Sequence, residues 1–288
     1  MRMIEAFTYQ GPQPGPHVLL LAGVAGDETP GMDALAQLLA LLNTHQLELS
    51  AGRLTIIPRA NSEAAKQARA WVDEDLAHVI GPHGSADTHE KKLAGALIPY
   101  LEAADWVLDL HACNQPTAAY ALPQDNSEPA RQWAEALGLD YALYGWPALL
   151  ADSDRVSPVE YAWRKEKQAL TVFSGAVADP QAVPAALRAA LNTLALAGLI
   201  GPQGHVRKPR LLRLTHIIHR EQEGWLVGKW KNFEYVKAGT VVARYDDGTA
   251  ITSDHNGYII LPQAHARRGD VWFYLAAALD APGAGRVG

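Results

Sequence analysis

The apolar run Val18-Leu19-Leu20-Leu21 ends in the turn Gly23-Val24-Ala25-Gly26-Asp27-Glu28, and a helical period follows over residues 30–42. A buried strand, a glycine-bearing turn and a helix in that order are the start of a βαβ unit, which builds a sheet covered by helices. The order repeats. Residues 54–58 read as a second strand, 93–104 as a helix leading into a strand at 106–110, and 128–137 as a helix stopped by Gly138. A short strand at 171–173 and an Ala/Leu-rich helix over 183–199 continue the alternation. The pattern predicts a layered α/β fold. With 288 residues and 48% hydrophobic content, the chain can bury a core of that size.

After Gly201-Pro202-Gln203-Gly204 helical periods give way to short alternating segments at 211–219, 239–245 and 257–261. This change predicts two domains, an α/β domain over residues 1–203 and a small β-domain over 204–288. Asp246-Asp247-Gly248 and Asn256-Gly257 carry the chemistry of tight turns or hairpins, and Arg268-Gly269-Asp270 precedes a last strand at 271–275. The tail from Ala281 is expected to be disordered.

Charge and composition exclude several classes of function. A net charge of −6 with scattered Lys and Arg leaves no footprint for a polyanion, so no nucleic-acid partner is expected. The short basic run Arg207-Lys208-Pro209-Arg210 reads as a solvated linker. The apolar run at 35–42 is interrupted by Gln37 and is too short to span a bilayer, so no membrane partner is expected either. One cysteine, Cys113, rules out an internal disulfide, and residues 1–5 lack a secretory apolar stretch; a cytoplasmic protein is expected.

Two side chains with metal-binding chemistry sit at strand C-termini, where open α/β sheets place their ligands. Glu28 lies on the turn after the first strand, and His111 closes Trp106-Val107-Leu108-Asp109-Leu110-His111. The strand period of two puts Asp109 and His111 on one face, so the aspartate is placed to orient the imidazole. A catalytic zinc takes three protein ligands and keeps a fourth position for water, and only two are found here. Cys113 shares the parity of His111 and offers a soft substitute ligand; its other reading is a buried structural thiol. His216 and His219, at i and i+3 in a strand, point to opposite faces and read as structural.

These motifs resemble the succinylglutamate desuccinylase/aspartoacylase family, whose fold is that of the zinc carboxypeptidases; the resemblance implies that the sheet is mixed and flanked by helices. The resemblance runs over most of the chain. The family's G-x-H-G-x-E is matched by Gly23-Val24-Ala25-Gly26-Asp27-Glu28, with Ala25 in the place of a histidine ligand. Its N-P-x-A, R and D-L-N-R segments are matched by Asn61-Ser62-Glu63-Ala64, Arg69 and Asp75-Leu76-Ala77-His78. The stretch from Glu90 to His111 follows the family, and T-V-E-x-G is matched by Thr171-Val172-Phe173-Ser174-Gly175. Gly257-Tyr258-Ile259-Ile260 matches a segment of the family's C-terminal β-domain.

The resemblance implies a zinc-dependent hydrolase of N-acyl amino acids, with Glu28 and His111 as metal ligands. It implies that Arg69 polarises the scissile carbonyl and that Asn61, Arg69 and His78 stand at substrate positions. His78 replaces a clamp arginine, and it could bind a carboxylate when protonated, approach the metal if its loop moves, or lie plainly at the surface. Phe173 stands at the place of the general base. With a ligand, the base and the carboxylate clamp all replaced, a weak or absent zinc and a non-catalytic, ligand-binding role for a small acyl-amino acid or related molecule are expected. The alternatives are an active deacylase that recruits substitute ligands and a structural partner of an active subunit in an oligomer.

Overall fold

The computed structural model describes residues 4–81, 87–146, 155–204 and 206–279. The tail from Ala281 falls outside them. The first half alternates as its sequence pattern requires. Strand β1 (Phe7–Gln10) and β2 (Gln13–Ala22) precede helix α1 (Thr29–Asn43) and β3 (Ala51–Ile57). Then come the short α2 (Ser62–Lys66), α3 (His89–Ala103), β4 (Trp106–Cys113), β5 (Tyr120–Pro123), α4 (Glu128–Ala136) and β6 (Tyr141–Tyr144). Helix α5 (Pro158–Arg164), β7 (Gln168–Ala176) and α6 (Ala182–Leu196) complete it. Helix α3 starts earlier than its apolar period suggests. Thr88 caps it by accepting from Lys91 N, and Glu90 in its first turn is buried.

The second half is strands alone among the described residues. They are β8 (Arg210–His219), β9 (Gly224–Leu226), β10 (Glu234–Val236), β11 (Val241–Tyr245), β12 (Ala250–Thr252), β13 (Gly257–Ile260) and β14 (Val271–Ala278). Asp246-Asp247-Gly248 joins β11 to β12 as a hairpin, with Gly248 at φ 89°. Asn256-Gly257 is a different case. It leads from β12, in a three-stranded sheet ordered β12-β11-β9, into β13 of the large sheet.

The large sheet has eleven strands in the order β1-β3-β2-β4-β7-β5-β6-β8-β14-β13-β10. Strands β3, β2, β4 and β7 run parallel at its centre, and β5 turns antiparallel against β7. The sheet does not stop at residue 203. Strand β8 pairs in parallel with β6, Tyr141 opposite Arg210 and Tyr144 opposite Arg213, so the C-terminal strands extend the same ladder. One face is covered by α1, α4 and α6, packed on Leu20, Leu108 and Leu170; the other is covered by α3 and α5, packed on Leu19 and Val107. Residues 18–22 are wholly buried, as a strand covered on both faces must be. No helix among the described residues is long and apolar enough to cross a membrane.

Candidate ligand cavity

Register across three strands builds the floor of the site. Asp109 lies opposite Thr171 and His111 opposite Phe173 in the β4–β7 pair, while Phe173 faces Tyr120 and Thr171 faces Leu122 in the β7–β5 pair. Alternation along each strand sends these side chains to one face of the sheet. Leu110, between Asp109 and His111, packs into the opposite layer as its parity predicts. Above this floor is a cavity of about 290 Å³, walled by His78, Trp146, Arg155, Glu160 and Tyr274.

Glu28 reaches the floor from the N-cap position of α1, where its side chain makes no capping bond. Its carboxylate instead accepts from Ala112 N at 3.1 Å and lies 2.7 Å from His111 Nδ1. The turn that carries it is pinned by backbone bonds from Asn61 N to Gly23 O (2.8 Å) and from Gly26 N to Ala70 O (3.0 Å). Gly26 cannot be larger here, because a Cβ would stand 2.3 Å from Ala65 N. Gly26 therefore serves the close approach of α2.

His111 is buried with a carboxylate at each ring nitrogen, Glu28 at Nδ1 and Asp109 at Nε2 (3.0 Å). Burial alone pushes its pKa down, but the charges of Asp109 and Glu28 and their hydrogen bonds hold it well above the usual histidine value. A cation must lie between Nδ1 and Glu28, either a proton or a metal. Asp109 Oδ1 is buried on the cavity wall and has no hydrogen-bond partner among the described residues. It is an acceptor left for a donor.

The donor set falls short of a three-ligand zinc. Glu28 and His111 converge, and Ala25, at the motif position of the family's histidine, has only a methyl group. Among the described residues, no third His, Cys, Asp or Glu brings a ligand atom within 4.8 Å of both. The residues present do not fit a catalytic zinc held by three protein side chains. Cys113 does not complete it. Burial pushes its thiol up to about 11, its Sγ lies 3.9 Å from the Tyr120 hydroxyl, and it faces a neighbouring groove with Asn232 and Leu261.

The other expected residues divide. His78 lines the cavity, its Nδ1 3.4 Å from Asp75 Oδ2; burial lowers its pKa, Asp75 opposes this and Arg155 adds to it. Phe173 lies on the floor, 5.3 Å from the His111 ring and stacked on Tyr120 at 4.9 Å. Asn61 makes structural contacts. It is fully buried, its Oδ1 capping α2 at Ala64 N and its Nδ2 donating to Glu90 Oε1 at 2.9 Å. Arg69 is displaced from the expected site. Ala68 adopts a left-handed φ of 48°, and the exposed Arg69 guanidinium donates to Gln67 Oε1 rather than lining the cavity.

Sequence reasoning missed Arg155, Trp146 and Tyr274. None of them belongs to a short motif; they reach the cavity from segments far apart in the chain. The ring column they adjoin was also invisible: Phe173 stacks on Tyr120, Tyr120 meets Phe233 at 5.1 Å, and Phe233 stacks on Tyr141 at 4.1 Å.

Comparison with known proteins agrees with this geometry. Residues 14–158 match the family model described as the succinylglutamate desuccinylase/aspartoacylase catalytic domain. Among solved structures, the chain is similar to a succinylglutamate desuccinylase/aspartoacylase from Rhodobacter sphaeroides, with 20% identity, 96% of this chain and 90% of that chain covered, and a TM-score of 0.76. It is also similar to the ectoine utilization protein EutE (DoeB) from Ruegeria pomeroyi, with 19% identity, coverage of 96% and 89%, and a TM-score of 0.77. No curated protein matches the chain in sequence. The matched segment runs from the first central strand to the start of α5 and carries both Glu28 and His111, so the chain belongs to the succinylglutamate desuccinylase/aspartoacylase family.

Proposed function

We propose that this chain is a ligand-binding member of its family, one that holds a small N-acyl amino acid or related amide over His111 and hydrolyses it weakly or not at all. The observation that carries this reading is the pair across β4 and β7, where a phenylalanine stands opposite His111. A glutamate that deprotonates metal-bound water contributes about 10²–10⁴-fold in rate, and a phenyl ring contributes none of that. Two converging ligands in place of three weaken any zinc held there.

The cavity wall supports retention of a ligand. Arg155 offers cationic chemistry for a carboxylate and His78 a hydrogen-bonding imidazole, Asp109 Oδ1 is an acceptor for an amide N–H, and Phe173, Trp146 and Leu122 suit an apolar acyl group. With Ala77-His78 in place of an Asn-Arg clamp, a succinyl or aspartyl carboxylate loses its counterpart, so a monocarboxylate amide is favoured.

Calorimetry on tag-free protein with N-acetyl amino acids tests the reading. Binding that is lost in Arg155→Ala, with no turnover when zinc is supplied, is the expected result. Turnover that disappears in His111→Ala would overturn it in favour of an active deacylase.

A further inference from the structure

We propose that His216, Asp254 and His255 form a surface site for one divalent transition-metal ion, sharing no residue with the His111 cavity. The three ligand atoms lie within 4.8 Å of one another among the described residues. Ligands bound to one zinc at about 2.0–2.1 Å in tetrahedral geometry stand about 3.3 Å apart, so small side-chain movements close the site. The separation between His216 Nε2 and Asp254 Oδ2 is already 3.5 Å.

Backbone irregularity assembles the cluster. In the β8–β14 pair, His216 lies opposite Leu275 and Leu214 opposite Ala276, which leaves Thr215 as the extra residue of a bulge. Bulges re-aim side chains. Thr215 Oγ1 donates to Leu275 O at 3.1 Å, and with its hydrogen used there it accepts from His255 Nε2 at 3.2 Å. On its other side His255 places Nδ1 only 2.5 Å from Asp254 Oδ1. At that distance a proton or a metal ion lies between the two atoms. His216 presents Nε2 to the other oxygen of the same carboxylate.

The turn that carries Asp254 and His255 is held from both sides. Ser253 is buried, its hydroxyl donates to His255 O, its N–H donates to Thr240 O, and Asn256 Oδ1 accepts from Ala238 N. Gly257 lets the histidine pack closely, since a Cβ there would come 3.1 Å from His255 Nε2 and 2.2 Å from Ala276 O. His219 does not take part; its Nδ1 is 3.2 Å from Gly269 O.

Two imidazoles and one carboxylate suit zinc, cobalt, nickel or copper, whereas magnesium and calcium prefer all-oxygen shells. Bound metal would tie β8 to the turn between β12 and β13. It would also raise the melting temperature by mass action.

Equilibrium dialysis of tag-free full-length protein against zinc chloride, with the retained metal quantified, is the test. One equivalent is expected, with affinity reduced at least about tenfold in His216→Ala and in Asp254→Asn. His216 is exposed, so His216→Ala should melt like the parent without metal and lose the zinc-induced rise; magnesium should produce no rise in either protein. His219→Ala and His111→Ala should retain the equivalent. No retained zinc would mean that a proton alone bridges Asp254 and His255, and would overturn the site. Retention unchanged in His216→Ala and Asp254→Asn, or lost in His111→Ala, would overturn it as well.

Discussion

The carboxylates on either side of His111, and that of Glu90 in the first turn of α3, are set to hold cations and donors. Ala25→His restores the missing imidazole on the turn of Glu28. It should raise zinc affinity at least about tenfold, measured by competition with a chelating dye, because it completes a three-residue shell. Phe173→Glu alone should restore no acyl-amino-acid hydrolysis, since water without a tightly held metal is too weak an acid; the double variant is the one in which turnover is expected. Glu90 is a different kind of carboxylate. Burial works against its ionisation, but bonds from Val72 N, Asn61 Nδ2, Asp73 N and Glu74 N hold its pKa below the ordinary 4.5. A depressed folded value means that the stabilisation is complete above about pH 4.5 and is lost as the pH falls through the folded value. Glu90→Ala should cost about 3 kcal/mol at neutral pH, read by urea denaturation, and flatten the acid limb of the stability curve. The sequence places Glu90 in a matched stretch, but four donors converging from residues 61–74 cannot be seen along the chain.

At the scale of elements, the turn into α1 shows what local pattern can and cannot carry. The strand, the glycines and the helix were legible, because a buried strand has a continuous apolar run and α1 an amphipathic period. The absence of a side-chain cap was not. Glu28 occupies the N-cap position, yet its carboxylate is turned to His111 and Ala112. Gly26→Ala would press a methyl group into the backbone of α2 and should cost about 2 kcal/mol or more, measured as a fall in the denaturation midpoint. Strands β1, β5 and β6 have four residues each, too few to show a period, and they escaped the sequence reading. The Asn256-Gly257 turn was legible as a turn, but which sheets it connects depends on pairing partners far away in the chain.

For the whole molecule, the change of texture near residue 204 is real in sequence, while the sheet runs through it. Tyr120, Leu143, Leu212, Tyr258 and Tyr274 share one apolar cluster drawn from both sides of that point. The halves should therefore melt in a single calorimetric transition whose van't Hoff and calorimetric enthalpies agree; two resolved transitions would contradict the shared ladder. The column of rings from Phe173 through Tyr120 and Phe233 to Tyr141 crosses the same seam. A carboxylate placed at position 173 would have to stand against the face of Tyr120, on ground that the phenyl ring now fills. Any change of shape at that one position would be felt well beyond the cavity, in the join between the two halves of the chain.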